Sequence, residues 1–217
     1  MKILTLLFLV CILTSCEKFK VYPVKEVVIT IDDAPNFPEN TSKILDVLNK
    51  HNVHATMFCI GMYLEQYPDL AERIANEQTM ANHSYSHISF KDNPSKLNDE
   101  VYKTQNIIDN LNLKTNKFIN RLFRFPYGAC TDNEQDWLKD KGFTTCWWDL
   151  DASDWDNNVT VEDIINYYDK NVYNKSECPV ILFHLSDNSV KSLDLLLSKL
   201  ERENVKIISL QEKLTKK

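Results

Sequence analysis

Glycine is scarce in this sequence. Only three of the 217 residues are glycine, Gly61, Gly128 and Gly142, against a usual share of about 7%. No two of them are spaced for a GxGxxG turn, a P-loop or a GxSxG elbow, and these motifs need glycine where the backbone approaches a ligand or turns sharply. The sequence therefore excludes nucleotide-binding loops of these kinds and serine hydrolases built on that elbow.

An excess of basic charge is also absent. The chain has 25 Lys+Arg against 31 Asp+Glu, for a net charge of −6. Proteins that bind nucleic acid or anionic membrane surfaces usually carry a basic patch, so we expect neither to be the main partner. At 43% hydrophobic and 26% charged residues, the composition is that of a globular protein, and the length fits one domain.

The first apolar run of the chain is too short to span a bilayer. It extends over residues 3–13, which suits the hydrophobic region of a signal peptide. The sequence Leu-Thr-Ser-Cys at 13–16 resembles a bacterial lipobox, where cleavage precedes a lipid-modified cysteine. We therefore predict a lipoprotein signal peptide at 1–15, lipidated Cys16 and a tether at 16–25, and the folded domain at 26–217. The alternative is an ordinary signal peptide with a chance cysteine.

These assignments predict an exported lipoprotein of a bacterial cell envelope, which contacts the membrane only through its lipid anchor. In an oxidising compartment, the four cysteines of the domain allow three disulfide pairings, and the sequence does not choose among them. The alternative is that Cys59 and Cys146, which lie in apolar runs, are simply buried small side chains. The four are Cys59, Cys130, Cys146 and Cys178.

Short apolar runs alternate with amphipathic stretches along the chain. The pattern predicts strands at 27–31, 55–60, 79–82, 122–125, 144–148, 179–184 and 205–209, and helices at 41–51, 69–76, 96–111, 134–140, 160–173 and 190–203. Thr41 or Ser42 is the predicted N-cap of the first helix, and Gly142 follows the end of the fourth. This alternation favours an α/β fold, a single-domain distorted (β/α) barrel of about seven units with a mostly parallel sheet. An open doubly wound sheet is the alternative.

Polar side chains follow most of the predicted strands. Because the carboxyl ends of parallel strands share one face, which holds the active site in such folds, these side chains are expected to meet there. They are Asp32 and Asp33, His83, Arg124, the group Asp149, Asp151 and Asp154, and His184.

His83 and His87 are four residues apart, the spacing that places two imidazoles on one side of a helical turn. Two histidines and one aspartate make a three-ligand metal site with open positions, which is the catalytic pattern. Such ligands suit Zn²⁺ or a neighbouring divalent ion. Because the ion neutralises one carboxylate of the Asp32–Asp33 pair, the other is free to act as a base.

Five short segments carry a family resemblance, in the family's order. They are TIDD at 30–33, HSYSH at 83–87, RFPYG at 124–128, DASDW at 151–155 and LFH at 182–184. The chain resembles the polysaccharide deacetylases of the NodB-homology type, the family 4 carbohydrate esterases, from about residue 27 to its end. Three positions depart from the family pattern: Ile31 replaces the usual Phe, Ala34 the usual Gly, and Leu185 a common Asp. None of the three removes a catalytic group, so the resemblance implies the activity more firmly than it implies the substrate.

The resemblance implies that Asp33, His83 and His87 bind one divalent metal ion, with Zn²⁺ favoured and Co²⁺, Ni²⁺ or Mn²⁺ as alternatives. The metal would activate a water and polarise the acetyl carbonyl. Asp32 would be the general base, and Arg124 would orient it.

The remaining motif residues would complete the reaction. The resemblance implies that His184 protonates the leaving amine and that Asp154 keeps His184 protonated. The backbone N–H of Tyr127 would stabilise the oxyanion together with the metal. Tyr127 and Trp155 would stack on sugar rings, and Trp148 would either stack there or pack in the core.

The predicted activity is removal of N-linked acetyl groups from N-acetylglucosamine units of a cell-wall or surface polysaccharide, which is peptidoglycan or chitin-like. The protein is expected to be a monomer. One alternative is an O-acetyl esterase acting on xylan or another acetylated glycan. Another is a lipid-anchored glycan-binding protein without activity. Such a protein would be expected to have lost Asp32 or His184, and both are present.

Overall fold

The computed structural model describes residues 26–115, 121–175 and 178–216. Strands and helices alternate through most of this range. In chain order they are β1 (Glu26–Ala34), α1 (Pro38–Lys50), β2 (Thr56–Cys59), α2 (Gly61–Gln66), α3 (Pro68–Glu77), β3 (Thr79–Asn82), α4 (Leu97–Lys114), β4 (Leu122–Phe123), α5 (Asp132–Asp140), β5 (Thr144–Thr145), β6 (Leu150–Asp151), α6 (Val161–Lys175), β7 (Val180–Phe183), α7 (Asp187–Arg202), β8 (Lys206–Ile207) and α8 (Leu210–Thr215). Short 3₁₀ helices lie at Pro94–Lys96 and Pro126–Gly128.

The strands form one curled sheet that resembles half of a barrel. The strand order is β5-β4-β3-β2-β1-β7-β6, and β8 pairs with β1 off this path. Every pairing between these strands is parallel. The predicted α/β fold with a distorted (β/α) barrel is therefore confirmed.

The central strand β1 shows how the sheet separates two cores. Val27, Ile29 and Ile31 pack in the large core cluster, together with residues of the surrounding helices. Val28, the next residue along, packs in a second cluster with Phe58 and with residues of the other strands. Side chains alternate between the faces of a strand, so Thr30 and Asp32 follow Val28 on the concave face. The concave face therefore changes from apolar to polar toward the carboxyl ends of the strands.

Most predicted elements have the predicted type, and their boundaries differ. The predicted N-cap of the first helix is wrong: α1 begins at Pro38 with Phe37 as its N-cap, and neither Thr41 nor Ser42 caps it. Proline suits the first position of a helix because its missing N–H is not needed there. Gly142, with φ 77°, follows the end of α5 as predicted. The sequence pattern does not predict α2, α8 or β6. The two helices have six residues each, too few to show a helical period, and β6 is not an apolar run.

The predictions about the signal peptide, Cys16 and the tether fall outside the described residues. In the described part of the chain, Cys59, Cys130, Cys146 and Cys178 are free thiols. Cys59 and Cys146 are buried, in agreement with the alternative that they serve as small core side chains. None of the described helices has both the length and the apolar composition needed to cross a membrane.

Candidate metal-dependent active site

A bulge at the end of β1 brings two consecutive carboxylates to the same side. Between the pairs Ile31–Met57 and Ala34–Cys59, β1 has one residue more than β2, which defines a β-bulge. Asp33 sits in this bulge with φ 68°, a left-handed conformation that Asp adopts more readily than most residues. In a regular strand Asp32 and Asp33 would face opposite sides of the sheet, whereas both line the same cavity in this fold. Ala34 replaces the family's usual glycine without strain, because the residue with positive φ in this bulge is Asp33 and not Ala34.

Arg124 is fully buried and orients Asp32. Its Nη1 donates to Asp32 Oδ1 at 2.7 Å and to Thr30 Oγ1 at 3.0 Å. Its Nε donates to the Cys146 carbonyl at 3.1 Å, and the guanidinium lies 4.0 Å from the ring centre of Phe58. A buried arginine needs such a set of partners to offset the loss of water. These contacts hold Asp32 in one orientation, with Oδ2 lying 3.6 Å from His83 Nε2.

The two histidines of the HSYSH segment converge through a loop and not through a helical turn. Ser84 and His87 have φ values of 65° and 55°, so the expectation of helical geometry between His83 and His87 is wrong. Asn82 Oδ1 accepts from the N–H of Ser84 at 2.9 Å, and Ser84 Oγ accepts from the N–H of His87 at 3.1 Å. These local hydrogen bonds stabilise the left-handed residues that turn His87 back toward His83.

Asp33, His83 and His87 form a set suited to a metal ion. Each offers one ligand atom, and the three atoms lie within 4.8 Å of one another. Asp33 Oδ1 lies 3.1 Å from His87 Nε2 and 3.5 Å from His83 Nε2, yet this buried oxygen makes no hydrogen bond with any described residue. His83 Nδ1 is 2.8 Å from the Arg124 carbonyl. Donation to that carbonyl directs the lone pair of His83 Nε2 toward Asp33, as in metal-binding histidines.

The electrostatics of this set also favour a cation. Burial opposes the ionisation of Asp33, but His83 and His87 hold the pKa of its carboxyl well below the ordinary value. Burial likewise opposes a charge on His83, but Asp32 and Asp33 raise the pKa of its imidazole. The carboxylates of Asp32 and Asp33 therefore favour a positive charge between them and the two histidines. A divalent ion with carboxylate and imidazole ligands suits this position.

His184 enters the cavity from the opposite side and is held by Asp154. The His184 backbone N–H donates to Asp154 Oδ2 at 2.8 Å, and His184 Nδ1 lies 2.8 Å from Asp154 Oδ1. Asp154 is completely buried and also accepts from Ser189 Oγ. Burial opposes protonation of His184, but the Asp154 carboxylate outweighs it and raises the pKa of His184 to about 9. Because Nδ1 contacts Asp154, Nε2 is the nitrogen that a substrate would meet.

One cavity of about 390 Å³ is lined by Asp32, Asp33, His83, His87 and His184. Tyr127 and Trp155 border it and are 70% and 58% exposed, and the Tyr127 ring stacks edge to face on His87 at 4.6 Å. Trp148 lines the cavity and also packs against the concave core cluster. Its packing role is therefore observed, and its stacking on a sugar ring stays a prediction. Gly128 lies under Trp148, where an added Cβ would be 3.2 Å from the Trp148 ring.

Two of the aspartates after the fifth predicted strand behave differently from Asp154. Asp149 lies away from the cavity, where its Oδ2 accepts from the Val180 N–H at 2.7 Å and contacts Lys213 Nζ at 3.2 Å. Asp151 lines the cavity, and its Oδ1 accepts from the Ser153 N–H at 2.7 Å. No catalytic or binding role is predicted for Asp151 from the sequence, although its place as the first residue of the DASDW segment is a usable signal.

The chain matches the family model described as polysaccharide deacetylase over residues 20–146. It is 35% identical to a peptidoglycan-N-acetylglucosamine deacetylase of Bacillus cereus, over 87% of this chain and 68% of that protein. It is 30% identical to the peptidoglycan-N-acetylmuramic acid deacetylase PdaC of Bacillus subtilis, over 87% of this chain and 38% of that protein. In each case the relative extends beyond the matched region.

A similar fold occurs in a crystal structure of a peptidoglycan N-acetylglucosamine deacetylase in complex with a naphthalenyl-N-oxidanyl-benzamide. The two chains superimpose with a TM-score of 0.77 at 32% sequence identity, and the match covers 88% of each chain.

Proposed function

Because the chain belongs to the polysaccharide deacetylase family, we propose that it removes N-linked acetyl groups from N-acetylglucosamine units of peptidoglycan. It is a deacetylase, a hydrolase that acts on carbon–nitrogen bonds. The observation that carries the proposal is the cavity that holds Asp32 with Arg124 on one side and His184 with Asp154 on the other.

Asp33, His83 and His87 would hold the divalent ion that enzymes of this family use, and Zn²⁺ suits one carboxylate and two imidazoles best. When bound, such an ion lowers the pKa of a water and polarises a carbonyl. Asp32 takes the proton of the attacking water. Arg124 keeps Asp32 in the orientation that this proton transfer needs, through the 2.7 Å bond to Oδ1.

His184 donates a proton to the amine that leaves. An amide needs this help because an unprotonated amine anion is a very poor leaving group. With a pKa raised to about 9, His184 is protonated at neutral pH. The backbone N–H of Tyr127, in the 3₁₀ helix Pro126–Gly128, would stabilise the developing oxyanion.

A polymeric substrate is supported by a second cavity that continues from the first. It has a volume of about 520 Å³ and shares Asp33, Trp155 and His184 with the catalytic cavity. The exposed ring of Phe37 lies on its wall, together with amide side chains such as that of Asn40. Aromatic faces and hydrogen-bonding side chains are the groups that contact sugar rings, so neighbouring sugars of one glycan fit along this path.

The relatives favour N-deacetylation of peptidoglycan over the alternatives, since one is named for N-acetylglucosamine and another for N-acetylmuramic acid. An O-acetyl esterase acting on xylan has no comparable support among them. A binding protein without activity is disfavoured because the proposed base Asp32, the proposed acid His184 and the three proposed metal ligands are all present and line the same cavity.

Action on a cell wall requires export. The segment 3–13 and the sequence around Cys16 support a further proposal, that the chain is secreted as a lipoprotein with Cys16 as its lipidated residue. The tether at 16–25 would then hold a monomeric domain near the membrane, within reach of the wall.

The test is acetate release by the full-length chain in detergent from peptidoglycan, chito-oligosaccharide and acetylated xylan, with and without a chelator. We expect release from peptidoglycan that the chelator abolishes and Zn²⁺ restores. His87→Gln should be inactive, whereas His51→Gln, at the C-terminal end of α1 and outside the cavity, should retain activity. Release from xylan alone would move the assignment to an esterase, and release that survives both the chelator and His87→Gln would refute the metal site.

A further inference from the structure

The loop between His83 and His87 is held by a side chain from outside the five motifs. Glu100, in the first turns of α4, places its carboxylate against this loop. Its Oε2 accepts from the backbone N–H groups of Tyr85 and Ser86 at 2.9 and 2.7 Å, and its Oε1 accepts from Ser86 Oγ at 2.6 Å. One carboxylate thus satisfies three donors in two consecutive residues.

The opposite side of the loop is fixed by the start of α2. The N–H groups of Gly61 and Met62 donate to the carbonyls of Ser84 and Tyr85, each at 3.0 Å. The approach is close, because a Cβ at Gly61 would lie 2.8 Å from the Tyr85 ring and 2.3 Å from Thr104 Oγ1. The backbone of the loop is therefore held between α2 and Glu100.

This loop needs such support because its own conformation is unfavourable. Ser84 and His87 both adopt positive φ, which non-glycine residues avoid unless the surroundings impose it. A loop that relaxed to negative φ would turn His87 away from Asp33 and His83. Metal affinity depends on ligands being held in place before the ion arrives.

We propose that Glu100 is a positioning residue, which pre-organises the loop between His83 and His87 for metal binding through its three hydrogen bonds. The inference rests on the proposed metal-dependent function, since it concerns the residues that hold the ion. In this role Glu100 contacts neither the ion nor the substrate.

A different role for Glu100 would be purely electrostatic, with its negative charge attracting the cation. Two variants separate these roles. Glu100→Gln keeps the length of the side chain, so its amide oxygen can accept from both N–H groups and its NH₂ can donate to Ser86 Oγ, but the charge is lost. Glu100→Asp keeps the charge but is one methylene shorter and cannot reach all three donors.

The experiment is Zn²⁺ titration of the full chain, stripped of metal, by calorimetry or by competition with a chromophoric chelator. For Glu100→Ala we expect a Kd for Zn²⁺ about 10-fold or more above that of the wild type, the range found when groups that support metal ligands are removed. Glu100→Gln should bind within about 3-fold of the wild type, and Glu100→Asp should resemble Glu100→Ala. Asp99→Ala is the matched control, because Asp99 lies in the same turn of α4 and is exposed.

The outcomes distinguish the inference from the function on which it rests. Wild-type affinity in Glu100→Ala, or a loss in Asp99→Ala as large as in Glu100→Ala, would overturn the inference alone. If Glu100→Ala does not fold, the other two variants decide: tight binding by Glu100→Asp with weak binding by Glu100→Gln would show a role of charge and overturn it. A wild-type chain that binds no Zn²⁺ would overturn both the proposed metal site and the inference.

Discussion

The pair of Asp154 and His184 allows a quantitative prediction. Asp154 is completely buried, and its carboxylate accepts from the backbone N–H of His184, from His184 Nδ1 and from Ser189 Oγ. Burial alone would lower the pKa of His184, whereas the Asp154 carboxylate raises it to about 9. Removing this charge should therefore deprive the reaction of its protonated acid near neutral pH.

The substitution to make is Asp154→Asn, which has nearly the same shape. Asp154 Oδ2 accepts two hydrogen bonds and Oδ1 accepts one. The amide oxygen of the variant should take the Oδ2 position, because the reversed orientation would leave two donors without an acceptor. Its NH₂ group should then face His184 Nδ1. An NH₂ group in that position disfavours a proton on Nδ1, and hence disfavours the imidazolium.

The magnitude follows from the pKa of His184. At pH 8, a histidine of pKa about 9 is about nine-tenths protonated, whereas one at its ordinary pKa of about 6.5 is about 3% protonated. The rate at pH 8 should therefore fall by about 30-fold, equivalent to about 2 kcal/mol. Burial is still present in the variant and pushes the pKa of His184 lower still, so this figure is a minimum.

The assay is kcat/KM for acetate release between pH 5 and 10, with the same metal loading for each protein. An acid with a raised pKa is active below that pKa and loses activity as the pH rises through it. We expect the alkaline limb of the profile to move to lower pH in Asp154→Asn and to stay in place in Asp140→Asn, an exposed aspartate at the end of α5. An unchanged alkaline limb and a loss of less than about 3-fold at pH 8 would refute the assignment of His184 as the acid held by Asp154.

Two further substitutions test the other half of the site. Asp32→Asn should keep its affinity for Zn²⁺ in a titration but lose nearly all turnover, because an amide cannot take a proton from water; near-normal activity would exclude Asp32 as the base. Arg124→Lys should reduce stability to urea by about 1–3 kcal/mol, because a lysine paired with Asp32 leaves the buried Cys146 carbonyl without its donor. Unchanged stability in Arg124→Lys would contradict the importance of these contacts.

Much of the fold could be predicted because the relevant signals are local. Most strands of the sheet lie within short apolar runs, and each long helix carries apolar residues at helical spacing, so most of the order of elements is readable from the sequence. The helices α2 and α8 have six residues each, too few to show a helical period, and β6 is not an apolar run. The predicted start of α1 is wrong because Thr41 and Ser42 are good caps in isolation, whereas Pro38 begins the helix one turn earlier.

The sequence by itself determined which chemical groups are present and at which strand ends they occur. It showed Asp32 and Asp33 after the first strand, the histidines at 83 and 87, and His184 at the end of another strand. Only the tertiary structure decided that Asp33 turns into the cavity through a bulge, that Asp149 lies elsewhere, and that Glu100 supports the histidine loop. The physical reason is that these features depend on contacts between residues far apart in the chain, such as Arg124 with Asp32, 92 positions apart, and on positive φ values that only surrounding contacts impose.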